Sequence, residues 1–248
     1  MFTVEERDRV REHMLERART DARVVAGAEV GSLALGEGDR WSDLDLTFAL
    51  DDEVALSEVL DDWTSDLAHH FGATQLFDLP SGPALYRVFL VPNLLQLDVS
   101  VTPASDFRPR GPKFNLLFGH ADAPAFPAPP SAQELFGLAT HHAIRARFSI
   151  ERGRHWQAAY LIGELRNHAL ELACIRLALP ARQGRGLDEL PRDLRGAFAE
   201  TLVRSLDRGE LLRALGAAVE SLVRESQESG GLATSVEDQL RALPTATF

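Results

Sequence analysis

A chain of 248 residues, 45% of them hydrophobic and 25% charged, has room for one large domain or two modest ones with cores of their own. No run in it reaches the roughly 18 apolar residues of a membrane span. The net charge of −11 is unevenly placed: residues 1–105 hold 20 acidic and 8 basic residues, and residues 106–248 hold 17 and 18, so the first part is a poor surface for nucleic acid, whose phosphates need Lys and Arg.

The chain begins Met-Phe-Thr-Val-Glu-Glu-Arg-Asp-Arg, charged and without the apolar core of a signal peptide, and a cytoplasmic protein is expected. Residues 4–20 read as an amphipathic helix with Val4, Val10, Met14 and Leu15 inward. Residues 23–30 are short and Val-rich and run into Gly31, a strand feeding a turn. A second strand spans 43–50, where Leu44, Leu46 and Phe48 alternate with Asp43, Asp45 and Thr47. Helical spacing returns over 52–71 and stops at Gly72. Strands at 84–91 and 94–101 meet at a hairpin-like Pro92-Asn93 break. The second sets Leu95, Leu97, Val99 and Val101 against Gln96, Asp98 and Ser100.

From Arg108 to Pro130 the composition turns to loop and linker. Ser131-Ala-Gln-Glu134 is a capping box for the first of several helices. The longest helix is predicted at 153–179, closed by Pro180, with two or three more within 188–242. Its apolar stripe includes Leu161, Leu165, His168, Leu172 and Ile175. Cys174 lies on its apolar side, and as the single cysteine it excludes an internal disulfide and a multi-cysteine metal site. Strands first and helices second give an α+β fold: a head over 1–125 and an all-α helical-bundle domain over 131–248.

The chemistry concentrates at three acids. Residues two apart on a strand share a face about 7 Å apart, so Asp43 and Asp45 can bracket a cation and Asp98 can close it from another strand. Two-metal phosphoryl transfer uses ions roughly 3.5–4 Å apart bridged by carboxylate, and an all-oxygen, partly hydrated site suits magnesium. Without a cation, three packed acids repel and raise one another's pKa. Ahead of them, Gly31 permits close approach of backbone to phosphate, and Ser32 offers a hydroxyl and an N–H. The acidic head suits a metal-bound triphosphate and a cationic acceptor.

Gly31-Ser32, ten intervening residues, Asp43-Leu-Asp45-Leu46, and Asp98 within Leu-Gln-Leu-Asp-Val together resemble the nucleotidyltransferase superfamily that includes DNA polymerase β. Within it the chain looks most like the bacterial aminoglycoside and related antibiotic nucleotidyltransferases. The motif-bearing likeness covers about residues 20–105; the helical half is similar in architecture only. The resemblance implies a mixed-sheet catalytic head, a C-terminal substrate-binding domain, and magnesium-dependent transfer of a nucleoside monophosphate from a nucleoside triphosphate to an acceptor hydroxyl. Asp43 and Asp45 would ligate metal, and Asp98 would ligate the second ion or take the acceptor's proton. Gly31 and Ser32 would hold the β- and γ-phosphates, with Ser42 and Lys113 as further nucleotide-binding candidates. A base from the helical part, with Glu164 or Glu171 as counterpart, is the alternative to Asp98. Two other readings stay open: an antitoxin-type nucleotidyltransferase acting on a partner protein, and a non-catalytic homologue that binds metal or ligand. A homodimer is compatible with either.

Weaker signals follow. Arg108, Arg110 and Lys113, the last being the chain's one lysine, lie just beyond the Asp98 strand, either reaching triphosphate oxygens or in a solvated loop. A single lysine without a Gly-x-x-x-x-Gly-Lys-Ser/Thr run excludes a P-loop. Trp156 and Tyr160, i and i+4 on one helix face, either line an acceptor pocket with Arg166 or pack in the core, and core packing is the plainer assignment. The pairs His69-His70 and His141-His142 face different ways and are assigned to structure or solvent.

Overall fold

The alternation of apolar and acidic residues around Asp45 and Asp98 decides which face of the sheet is covered. In a computed structural model, which describes residues 1–126, 128, 130–226 and 231–246, the chain divides into two units, Met1–Pro127 and Ala128–Phe248. The first is built on six strands: β1 (Val24–Val30), β2 (Leu44–Leu50), β3 (Thr74–Ser81), β4 (Ala84–Val91), β5 (Leu95–Pro103) and β6 (Phe114–Phe118). Their order in the sheet is β3-β4-β5-β2-β1-β6. β2 and β5 run parallel, while the other neighbours are antiparallel.

Helices α1 (Val4–Thr20) and α2 (Leu56–Phe71) cover one face. Val10, Met14 and Leu15 of α1 and Val59, Leu60, Trp63 and Leu67 of α2 share a core with Leu44, Leu46, Phe48, Leu97, Val99 and Val101. The period-2 pattern therefore turns Asp45, Thr47, Asp98 and Ser100 to the opposite face. α1 has the bounds read from the sequence, fixed by a capping box in which Glu6 N–H donates to Thr3 Oγ1 and Thr3 N–H to Glu6. α2 begins later than expected because Asp51 and Asp52 are spent on the preceding loop. Asp51 accepts from the Glu53 N–H, and Asp52 from the N–H and hydroxyl of Ser105. Gly72, with φ of 64°, ends it.

Two strands escape the pattern rules. β3 is exposed at all eight residues, so no buried face imposes alternation, and it contains Pro80, which edge strands tolerate. β6 lies within the stretch expected to be linker. Its Phe-Asn-Leu-Leu-Phe run is paired to β1, so the Pro-rich composition on either side marks turns rather than one continuous connection.

Asp21 shows how the first unit is closed. Its carboxylate, 5% exposed, accepts from Arg23 Nε, Nη2 and backbone N–H and from the Trp63 indole. The Arg23 hydrogen bonds hold its pKa at about 2, against an ordinary 3.8. A depressed carboxylate contributes stability that is complete above the unfolded value and is lost as pH falls through the folded one. Asp21→Asn is therefore expected to cost about 2 kcal/mol at pH 7. The gap should shrink by about half at pH 3 and close below pH 2, as read by paired urea titrations of wild type and variant.

The second unit is helical: α3 (Ala132–Glu151), α4 (His155–Arg176), α5 (Arg192–Ala199), α6 (Arg208–Arg224) and α7 (Gly231–Ala242). Ser131 and Glu134 form the expected capping box. Small residues on the facing sides, Ala139, Ala143 and Ala146 of α3 with Ala158, Ala169 and Ala173 of α4, are buried together with Leu161, Leu165, Leu172 and Cys174. α4 stops at Arg176, short of the expected Leu179, because Leu177 caps it and Ala178 takes a left-handed φ of 55°. Core packing of Trp156 and Tyr160 is corrected: they are 79% and 65% exposed. Arg147, 2% exposed, gathers the end of the unit by donating to the carbonyls of Leu243 and Ala246. No helix among the described residues is long and apolar enough to cross a membrane.

Candidate metal centre

Asp45 and Asp98 are register partners across the parallel β2–β5 pair, so strand pairing alone sets them side by side on the face away from the helices. Asp43 stands one residue ahead of β2. The three carboxylates are partly buried, and one oxygen from each lies within 4.8 Å of the others. Burial, and then repulsion from Asp43, push the Asp98 pKa above its ordinary value, against a hydrogen bond from Gln96 Nε2 at 2.9 Å that lowers it. Two residues further on the same face, the hydroxyls of Ser100 and Thr47 pair at 2.8 Å. Such an all-oxygen, mutually repelling set is chemically suited to a hard divalent cation.

The Gly31-Ser32 turn abuts this group. Gly31 has φ of 73°, and a Cβ there would stand 2.1 Å from Asp45 Oδ2. Only glycine both adopts the turn and leaves the carboxylate its place. Gly31→Ala is expected to destabilise the first unit by roughly 1–2 kcal/mol. It should also displace Asp45, so any rise in thermal midpoint that magnesium is expected to give the wild type should be absent from its melting curves.

Ser32 begins a 3₁₀ turn, Leu33–Leu35, and its side chain makes no capping bond. Ser42 is placed differently from Ser32. Its hydroxyl accepts from the Asp39 N–H and donates to Asp39 Oδ1, while buried Arg7 holds the carbonyls of Asp39 and Ser42 at 2.7 and 3.1 Å. That clamp ties the loop to α1 and delivers Asp43 to the head of β2. Lys113 lies one residue beyond the Val30–Phe114 pair that joins β1 to β6, next along from Gly31, and pairs with Glu37 at 2.7 Å. Arg108 is engaged by Asp122 and the Ser105 carbonyl.

Sequence reasoning passed over two features. The loop before Asp43 presents an exposed Trp41 with the Arg40 guanidinium 4.1 Å from its ring centre, visible beforehand only as an Arg-Trp pair between glycines and acids. The histidines dismissed as adjacent pairs have partners elsewhere. His70 meets His13 and Asp66, and His142 meets Glu164 and His168; the i, i+4 spacings Asp66/His70 and Glu164/His168 were the available signal.

No protein-family model matches the chain, and no curated protein does. Among solved structures the chain is similar to an aminoglycoside 6-adenyltransferase from Bacillus subtilis, at 12% identity and a TM-score of 0.37, over 94% of this chain and 96% of that one. So loose a likeness carries no weight for the reaction, which has to be read from the acids.

Proposed function

We propose that the chain is a magnesium-dependent nucleotidyltransferase that moves a nucleoside monophosphate from a nucleoside triphosphate to a hydroxyl of a small acceptor, releasing pyrophosphate. The observation that carries this reading is the meeting of Asp43, Asp45 and Asp98 beside the Gly31-Ser32 turn. Asp43 and Asp45 would hold magnesium, which when bound neutralises charge on the triphosphate oxygens. Asp98 either completes the metal set or accepts the proton of the attacking hydroxyl. Gly31 lets the turn approach the β- and γ-phosphates, and Ser32 supplies donors to them. Lys113, next to Gly31 in register, offers a cation to the same oxygens once it leaves Glu37, and Ser42 acts by shaping the loop. The head's excess of acids over bases favours a cationic acceptor such as an aminoglycoside. The helical unit is assigned to acceptor binding, with the exposed Trp156–Tyr160 face as its contact surface.

The deciding experiment is a pyrophosphate-release assay with ATP, GTP, CTP and UTP against a panel of aminoglycosides and lincosamides, with magnesium and with chelator. Release that needs magnesium and one acceptor class supports the reading. Intact magnesium binding with no release for any pair makes the chain a non-catalytic binding homologue.

A further inference from the structure

The helical unit carries a cluster of different chemistry. His142 on α3 and Glu164 and His168 on α4 each bring one ligand atom to within 4.8 Å of the others. The two imidazoles stack, with centroids 5.4 Å apart and planes inclined by 18°. In each ring Nδ1 is buried and has no hydrogen-bond partner among the described residues. Glu164 is held only weakly by Asn167 Nδ2, at 3.4 Å. Unsatisfied buried nitrogens on neighbouring rings are costly, and native proteins keep few of them.

We propose that His142, Glu164 and His168 bind a divalent transition-metal ion of the zinc type, which cross-links α3 to α4. Two imidazoles and one carboxylate form a mixed nitrogen–oxygen set that suits zinc and its neighbours and not magnesium or calcium. Zinc bonds of about 2.0–2.2 Å require three donors within 4.8 Å of one another to close in by up to about 0.8 Å each, within the reach of side-chain rotation. Glu171 lies 3.7 Å from His168 Nδ1, beyond hydrogen-bond reach, so that nitrogen is left for the ion.

The other histidine cluster lacks this demand. His13 is already paired with Asp66 at 2.5 Å, and His70 Nδ1 lies 3.0 Å from the Asp66 carbonyl. Those contacts account for it without an ion. The proposal uses no residue of the three-acid centre, and it takes Glu164 out of consideration as the general base.

The test is zinc retention by the full chain, measured by elemental analysis after dialysis and by competition with a chromophoric chelator. Cobalt(II) serves as a spectroscopic substitute. The wild type is expected to hold one zinc at this site and to show visible cobalt bands and a thermal midpoint raised by zinc. His142→Ala and His168→Gln should each weaken binding at least about tenfold and abolish the bands, with helical circular dichroism unchanged. Should His142→Ala not fold, Glu164→Gln, of the same shape, makes the same test. Asp45→Asn should keep this zinc. Three results would overturn the site: a wild type that holds no zinc or cobalt, variants that bind as tightly as the wild type, or loss of the ion on His13→Ala alone.

Discussion

Asp45→Asn is expected to lower pyrophosphate release by about a hundred- to a thousandfold or more, in line with the loss of one group that stabilises transition-state charge. The fold should persist. Asp45 faces away from the helix-covered core and shares its rung with Asp98, so an amide of the same shape disturbs no apolar contact and removes one of three mutually repelling charges. Added magnesium, expected to raise the wild-type midpoint if it binds the native state, should barely move that of the variant. Asp43→Asn should behave alike. Turnover unchanged in both variants would remove these acids from the chemistry, whatever the fold.

The largest effect expected on stability lies far from that centre in sequence. Glu225 caps the C-terminus of α6 with its side chain 0% exposed, and Arg176 Nε donates to one of its oxygens at 2.7 Å. The other oxygen is buried with no hydrogen-bond partner among the described residues. A carboxylate at a helix C-terminus also meets the negative end of the helix dipole. Burial, an unmet acceptor and the dipole all oppose the charge, and the guanidinium is its main compensation. Arg176→Met is expected to cost about 3–5 kcal/mol in urea unfolding. The double variant Arg176→Met/Glu225→Leu should recover most of that, because the uncompensated charge goes with its partner. A single-variant loss below about 1 kcal/mol would mean that other groups hold the charge.

Legibility in the sequence followed burial. β2 and β5 announced themselves because one face of each is buried by α1 and α2 and the other carries Asp, Thr and Ser, so a period of two is written into the residues. β3 had no such constraint and left no trace. β6 was concealed by the prolines and glycines of its flanking turns. The acids could be named because strand geometry turns a spacing of two into a shared face and puts Asp98 on the polar side of its own alternating strand, but that Asp98 stands opposite Asp45 needed the β2–β5 register, which is a fact of pairing across the sheet. The same limit hid the histidine cluster. Glu164 and His168 are one helical turn apart, whereas His142 arrives from another helix, and no local period connects them. Trp156 and Tyr160 show the converse: their spacing fits a buried stripe equally well, and only the packing of α3 on α4 leaves them outside.

The parallel rung that seats Asp45 opposite Asp98 makes the centre indifferent to length along the chain and unforgiving across it. Residues may be added or lost in the turns around Gly72 and Gly82, or in the hairpin at Asn93, without disturbing two strands that find each other by their own ladder. A single residue inserted within β5 ahead of Asp98 would rotate that carboxylate into the apolar core and turn a leucine or valine toward Asp45. Loop length between the two acids can thus change, and the pair survives as long as two short strands keep count.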